Sequence, residues 1–328
     1  MAKILITTVP FGDRNRFPLD LLEKANIEYL INPHKTKLTE DQLVKMVSDF
    51  DVIIAGTEPI TEKVMTQATK LKLVSRVGIG LDGVDLISAK KRGVKVTYTP
   101  DAPGPAVAEL ALGMMLTLLR SVHISNFRMH QGKWQRIFGR RLTEITVGII
   151  GMGRICTHLL RCIKGFDTLQ VLANDIMPND ELSREFKLKW VTKEHIYKDA
   201  DIISLHLPLP PLTRNMIRRE QLLSMKSDAM IINTSRGGII NERDLHDVMV
   251  AGHLSGAAID VFEHEPYTGK LAEIERCLLT SHMGSMSIDC RTRMEIEATE
   301  EAIRFLAGKP LEGEVPQAEY DVQYQGIL

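Results

Sequence analysis

Three features of the sequence predict an α/β protein of two doubly wound, parallel-sheet domains separated by a cleft. Short apolar runs alternate with amphipathic stretches along most of the chain, the pattern of strands buried on both faces and joined by helices. An apolar run at Val147–Ile150 breaks into a Gly-x-Gly turn and then a helix-like stretch, as in a Rossmann-like βαβ unit. The length of 328 residues suits about two domains of ordinary size.

In the first domain the expected strands are Ile4–Val9, Ile27–Ile31, Val52–Ala55, Leu71–Val77 and Val94–Thr97. Helical patterns at Leu19–Lys24, Asp41–Val47, Glu62–Ala68 and Val84–Lys91 join them. Ser75–Asp82 carries a glycine-rich turn, Gly78-Ile79-Gly80, but no acid ends the next strand. The turn therefore reads either as exposing the N–H groups of Gly78 and Gly80 to a small anion or as a plain strand-to-helix turn.

Asp101-Ala102-Pro103-Gly104-Pro105 reads as a linker whose prolines hold off helix until Ala106. One long helix, Val107–His130, is expected next, ending at Gln131-Gly132-Lys133-Trp134. Trp134 either docks on a second subunit or covers its own domain.

The chain is organised around Val147–Asp175. Gly151 lets the chain turn sharply, Gly153 lets backbone N–H groups approach a pyrophosphate, and the helix after it offers its positive end. The next apolar run, Leu169–Ala173, ends at Asn174-Asp175, roughly twenty residues on, where such an acid meets a ribose diol. A carboxylate there repels a 2′-phosphate, so the cofactor expected is NAD rather than NADP. Cys156 stands where a third Gly or Ala is usual; it reads as a buried structural thiol or, near a helix N-terminus, a redox-sensitive one.

Beyond Asp175 the alternation resumes, with helices at Lys193–Lys198, Arg219–Met225 and Glu242–Ala251. The strands between them are Asp201–His206, Asp228–Asn233, Ala257–Phe262 and Leu278–Thr280. Pro208-Leu209-Pro210-Pro211-Leu212-Thr213 is a loop at a strand end, where ligands of open α/β sheets sit. A helical run, Ser287–Ala307, is expected to return to the first domain, and Pro310–Leu328 reads as a polar, partly ordered arm.

Composition bounds the partners. The formal net charge is −1 and no long basic block occurs, so no nucleic-acid partner is expected. No run reaches spanning length and the N-terminal run is too short for a signal, so neither a membrane nor secretion is expected, and the compartment expected is the cytoplasm. Cys156, Cys162, Cys277 and Cys290 lack disulfide or metal-ligand spacing, so free thiols and no metal are expected.

Polar residues at strand ends point to the chemistry. Arg236 follows Ile231–Ser235, Glu265 follows Asp260–His264, and His282 follows Leu278–Ser281. A parallel sheet puts all three at the edge that carries the glycine turn. Arg236 can hold a carboxylate and polarise a carbonyl through forked, charge-assisted bonds. His282 can give or take the proton, and Glu265 beside it would orient the imidazole and favour its charged form, raising its pKa. The set suits hydride transfer between a nicotinamide and a small 2-hydroxy or 2-oxo acid.

The segments Gly148–Ile155, Asn233-Thr234-Ser235-Arg236-Gly237-Gly238, Asp260–Pro266 and Ser281-His282-Met283-Gly284 resemble the D-isomer-specific 2-hydroxyacid dehydrogenase family, over roughly Val52–Pro310. The resemblance implies Arg236, Glu265 and His282 as the catalytic set. It implies Gly151, Gly153, Arg154, Ile155, Asp175, Thr234, Arg236, Asp260, His282 and Gly284 around NAD, and Arg76, Val77, Gly78 and Ile79 as the substrate-carboxylate loop, joined by Arg236 and His282. It implies a discontinuous, flavodoxin-like substrate domain of residues 1–100 and 286–310, an NAD-binding domain of 101–285, and a tail, 311–328. It also implies a homodimer arm ending at Gly132-Lys133-Trp134.

Cys156, Ala106 and Asn241 depart from the family pattern, but none removes a catalytic group. The substrate expected is a small 2-hydroxy or 2-oxo acid, with phosphorylated, phosphoglycerate-like acids included; Arg76 either reads a second negative group or pairs with a nearby acid. No further domain follows Pro310, which points away from a long-form, serine-regulated phosphoglycerate dehydrogenase. Two other readings share these motifs: an NAD(H)-sensing corepressor-like protein, and a formate- or phosphite-type dehydrogenase.

Overall fold

A computed structural model describes residues 2–166, 170–209 and 211–325. Leu169, where the second strand of the dinucleotide unit is expected to begin, and Pro210 of the proline loop lie outside the described residues. The chain forms two compact units, Met1–Pro103 with Met286–Leu328, and Gly104–Ser285.

The first unit runs β1 (Lys3–Ile6), α1 (Phe17–Lys24), β2 (Glu28–Ile31), α2 (Glu40–Met46), β3 (Val52–Ala55), α3 (Glu62–Gln67), β4 (Leu73–Arg76), α4 (Leu86–Lys91) and β5 (Lys95–Thr97). Its strands are all parallel, in the order β2-β1-β3-β4-β5. Thr39, Thr61 and Asp85 cap α2, α3 and α4 through their side chains, which is why these short helices start where they do. On one face Leu5, Ile53, Val74 and Val96 pack with Leu43, Val64 and Leu86 of the helices. Successive strand residues point to opposite faces, so Ser75 faces the other way and donates to a helix carbonyl, that of Ala298, at 2.8 Å.

The second unit runs α5 (Gly104–Leu119), α6 (Val122–His130), β6 (Thr146–Ile150), α7 (Arg154–Ile163), β7 (Gln170–Asn174), α8 (Asp180–Phe186), β8 (Lys189–Trp190), α9 (Lys193–Asp199), β9 (Ile202–Leu205), α10 (Arg219–Ser224), β10 (Met230–Asn233), α11 (Glu242–Val250), β11 (Gly256–Ile259) and β12 (Cys277–Leu279). Its parallel sheet has the order β12-β11-β10-β9-β6-β7-β8. Ala108, Met115, Cys156 and Leu159 cover one face over Val147 and Ile149. Ile196, Leu222, Leu245 and Val248 cover the other, over Ile203 and Ile231. A Cβ at Gly148 would stand 2.4 Å from Ile196 Cγ2, so a glycine here lets α9 lie directly on β6.

The chain then returns to the first unit through α12 (Ile288–Leu306), the helix that supplies the Ala298 carbonyl to Ser75, and α13 (Gln317–Gln325) follows it.

Three expectations are corrected. The long helix is two, bent by 67°. Ser121 takes a left-handed conformation between them, and Arg140 N donates to Leu119 O at 2.9 Å, taking a carbonyl that a continuing helix would use itself. Helix starts at Gly104 rather than Ala106, because Pro105 falls in the first turn, where its missing N–H has no intrahelical partner to lose. The tail, expected to be a partly ordered arm, is ordered through Gln325: Glu314 bridges Thr97, Val315 is buried, and α13 follows. Among the described residues no single helix is long and apolar enough to cross a membrane.

Candidate active site

In the larger sheet the chain runs outward in one direction from β6 to β8 and in the other through β9 to β12, so the strand order reverses between β6 and β9. Crevices at such points hold dinucleotides in open α/β sheets. Here the loops after the two strands touch. Gly151 has φ +94°, and a Cβ on it would stand 2.3 Å from His206 O, so the turn needs glycine on both counts. Nothing lies within 4 Å of where a Gly153 Cβ would be, and Gly153 caps α7 with no side-chain bond to the first turn. Arg154 and Ile155 are the first two residues of that helix.

Asp175 stands one residue past β7, and its carboxylate accepts Met152 N at 2.6 Å and Met177 N at 2.9 Å. The acid is thus tied to the glycine turn itself. Cys156 lies inside the same helix, wholly buried, with Sγ 3.3 Å from Met152 Sδ. Burial, with the Asp175 charge adding to it, pushes its thiol pKa far up, which removes the redox-sensitive reading and leaves the structural one.

Two buried polar atoms at this edge have no partner among the described residues: Thr234 Oγ1, just past β10, and His206 Nδ1, just past β9. Buried polar groups are normally paired, so both fit a ligand with hydrogen-bonding groups, as NAD is. Sequence reasoning misses His206, although it carries the same signal as the others, a polar residue closing an apolar run. Its Nε2 lies 2.9 Å from Ser204 Oγ, and burial pushes its pKa down to about 4, so the ring is neutral at pH 7.

The loop after β10 is locked by Asn233. Its Oδ1 accepts Ser235 N at 3.1 Å and Ser235 Oγ at 2.8 Å, and its Nδ2 donates to Arg236 O at 2.8 Å. Arg236 Nη1 donates to Ser235 O at 2.7 Å. A Cβ at Gly237 would sit 2.0 Å from the Phe262 carbonyl carbon and oxygen, so this loop lies directly on the one after β11. Phe262 N donates in turn to Glu265 Oε1 at 3.1 Å. Glu265 reaches His282 Nδ1 at 2.8 Å through Oε2 and 3.0 Å through Oε1.

His282 has φ +51°, an unusual backbone for a non-glycine residue, and Asp260 holds it there. Asp260 is 1% exposed; its backbone oxygen accepts His282 N at 2.8 Å. Its carboxylate accepts Thr280 Oγ1 at 2.6 Å, Met283 N at 2.9 Å and Gly284 N at 2.9 Å. Gly284 has no Cβ to press on Val107, which would lie 3.3 Å away. The loops after β10, β11 and β12 are thereby joined into one connected edge carrying Arg236, Glu265 and His282.

The expected anion loop lies in the first unit and differs from expectation. Gly78 has φ +132° and its N–H donates to Thr99 Oγ1 at 2.8 Å, so it is not offered outward. Arg76 is buried and folds back so that Nη1 donates to the Val77 carbonyl. Val77 is buried and Ile79 half-buried. Trp134 is 79% exposed, which removes the reading in which it covers its own domain.

The family model for the D-isomer specific 2-hydroxyacid dehydrogenase NAD binding domain matches residues 112–284. A hydroxypyruvate reductase from Thermotoga maritima is 33% identical over 299 residues, 88% of this chain and 96% of that protein. A D-3-phosphoglycerate dehydrogenase from Synechocystis is 31% identical over 94% of this chain, which spans 55% of that longer protein. A solved structure from Thermus thermophilus superposes with TM-score 0.87 at 30% identity, covering 96% of this chain and all of that one. A D-lactate dehydrogenase from Aquifex aeolicus, solved with NAD and lactic acid, shares the fold at TM-score 0.82 and 23% identity, over 93% of this chain and 96% of that one. The chain belongs to the D-isomer-specific 2-hydroxyacid dehydrogenases, NAD-dependent oxidoreductases that act on CH–OH groups.

Proposed function

We propose that Arg236, Glu265 and His282 carry the interconversion of a small 2-hydroxy acid and its 2-oxo acid. The observation that carries this reading is the Glu265–His282 pair, 2.8 Å apart on the edge that holds the glycine turn. When bound, NAD exchanges a hydride with C2 of the substrate. With Nδ1 engaged by Glu265, the imidazole presents Nε2 to the C2 oxygen, giving it a proton in reduction and taking one in oxidation. Arg236 holds the substrate carboxylate through its planar fork, and Asn233 sets the loop from which it reaches. Gly151, Gly153, Arg154 and Ile155 would hold the pyrophosphate of NAD, Asp175 its ribose diol, and Thr234, Asp260 and Gly284 its nicotinamide end. Arg76, Val77, Gly78 and Ile79 remain the candidate substrate-carboxylate loop within the first unit.

The relatives named above point to hydroxypyruvate and 3-phosphoglycerate chemistry as the substrate range to test. The same reading makes the protein a cytoplasmic homodimer: its four cysteines are free, and Val122, Phe127, Trp134 and Phe138 present an exposed apolar surface. Neither the corepressor-like nor the formate- or phosphite-type reading is favoured by the comparisons. The test is consumption of NADH with glyoxylate, hydroxypyruvate, its 3-phosphate and pyruvate, in the native protein and in His282→Ala. Loss of about 10²-fold or more in kcat is expected for the variant, the usual size of a general acid–base contribution. No turnover with any of these acids, or full turnover in the variant, refutes the proposal.

A further inference from the structure

The turn that carries Glu265 follows β11 on the surface, where Glu263, His264 and Glu265 are all exposed by residue. Its position is set by neighbours. Gly237 abuts its start at Phe262, and at its middle Glu263 N donates to Glu242 Oε1 at 2.8 Å. Glu242 is the first residue of α11, whose N-cap, Asn241, bonds Asp244 N at 2.9 Å and Asn215 Oδ1 at 3.1 Å. The carboxylate that grips the turn therefore stands on a helix end anchored independently of it.

The placement is electrostatically costly. Burial pushes the Glu242 carboxyl pKa up; the Glu263 N–H bond and His264 oppose this, while the charges of Glu263 and Glu265 add to it. A half-buried acid beside two others is better replaced by a neutral residue unless the bond it makes is used.

We propose that Glu242 is a positioning residue for the Glu265–His282 pair, holding the Glu263 N–H so that Glu265 stays within reach of His282 Nδ1. The proposal rests on the roles given above to Glu265 and His282. Glu242 acts through the turn, by way of the Glu263 N–H.

The test compares Glu242→Ala with Glu242→Gln in the full chain, with NADH and glyoxylate as probes and NMR of the 15N-labelled imidazoles as a readout independent of turnover. In E242A, kcat falls about ten- to hundredfold, the cost of an ångström-scale misplacement, while KM for NADH stays within about threefold. The downfield Nδ1–H signal of His282, sheltered by Glu265, weakens or vanishes. E242Q keeps an oxygen for the Glu263 N–H and so restores both kcat and the signal. If E242A does not fold, Glu242→Asp, whose carboxylate falls a methylene short, replaces it with the same expectations. Unchanged kcat and signal in the short variant, failure of Gln to rescue, or a parallel loss in KM with the signal intact overturns the proposal. If the native protein reduces none of the acids named above, the functional reading falls and the NMR comparison alone decides the role of Glu242.

Discussion

Asp260→Asn is the sharpest test of how the edge that carries His282 is held. Asp260 is 1% exposed and its two carboxylate oxygens accept Thr280 Oγ1, Met283 N and Gly284 N, at 2.6, 2.9 and 2.9 Å. An amide keeps one of those oxygens and replaces the other with a donor. Whichever way it turns, an NH2 faces a buried N–H, so at least one charge-assisted bond is lost and one donor is left without a partner. A bond to a charged group is worth about 1.5–3 kcal/mol and an unsatisfied buried group costs about 1–3 kcal/mol, so the variant loses roughly 3–5 kcal/mol. At about 2–4 °C per kcal/mol for units of 150–250 residues, Tm falls by about 10 °C. Gly284 and Met283 adjoin His282, so the imidazole shifts with the loop after β12 and kcat drops by about 10²-fold. Thermal unfolding followed by circular dichroism, with steady-state kinetics below the transition, measures both. A variant that melts within about 2 °C of the native protein and keeps kcat within about threefold would show that something else holds the loop after β12.

Two further outcomes follow from the same edge. Burial pushes the His206 pKa down to about 4 from an ordinary value of 6.5, so the unfolded chain binds a proton there that the folded chain refuses. The stabilising effect is present above about pH 6.5 and is lost as pH falls towards 4, by on the order of 3 kcal/mol, and His206→Asn should flatten the decline of Tm across that window. A Tm slope unchanged in the variant would place the titration elsewhere. Gly237→Ala puts a Cβ 2.0 Å from the Phe262 carbonyl, backbone that cannot swing aside. It should separate the loops that carry Arg236 and Glu265, with kcat down about 10²-fold and KM for NADH changed far less; native kinetics in this variant would mean that the two loops need not touch.

What the sequence makes legible is whatever the parallel sheet dictates. Strands buried on both faces must be apolar runs, and all of them end at one edge, so the residue closing each run is a candidate for that edge whatever the distance along the chain. Glu265 and His282 are found this way, and so is Asp175 beside the glycine turn. His206 closes the run Ile202–Leu205 and is open to the same reasoning. The break at Ser121 is not legible, because it depends on Arg140 returning from a distant segment to take the Leu119 carbonyl. The ordered tail is not legible either, since a polar sequence gives no hint that Glu314 pairs with Thr97 and Val315 is buried.

The deeper limit concerns the main chain. Gly78 reads in the sequence either as offering its N–H to an anion or as part of a plain turn; its N–H is taken by Thr99, and only the fold could reveal that. Glu242 is the converse case: as the first residue of a helix it reads as favourable charge at a helix N-terminus, a role any exposed acid can fill. Its bond to Glu263 N changes that role, because the acceptor it supplies is to a backbone group no side chain of the turn itself satisfies. Side-chain chemistry at strand ends can be inferred from residue type and period, whereas the use made of a backbone N–H depends on which segment folds against it. Asp260 and Gly237, which hold the Glu265–His282 pair from within the motifs, are therefore marked by them, whereas Glu242 is not.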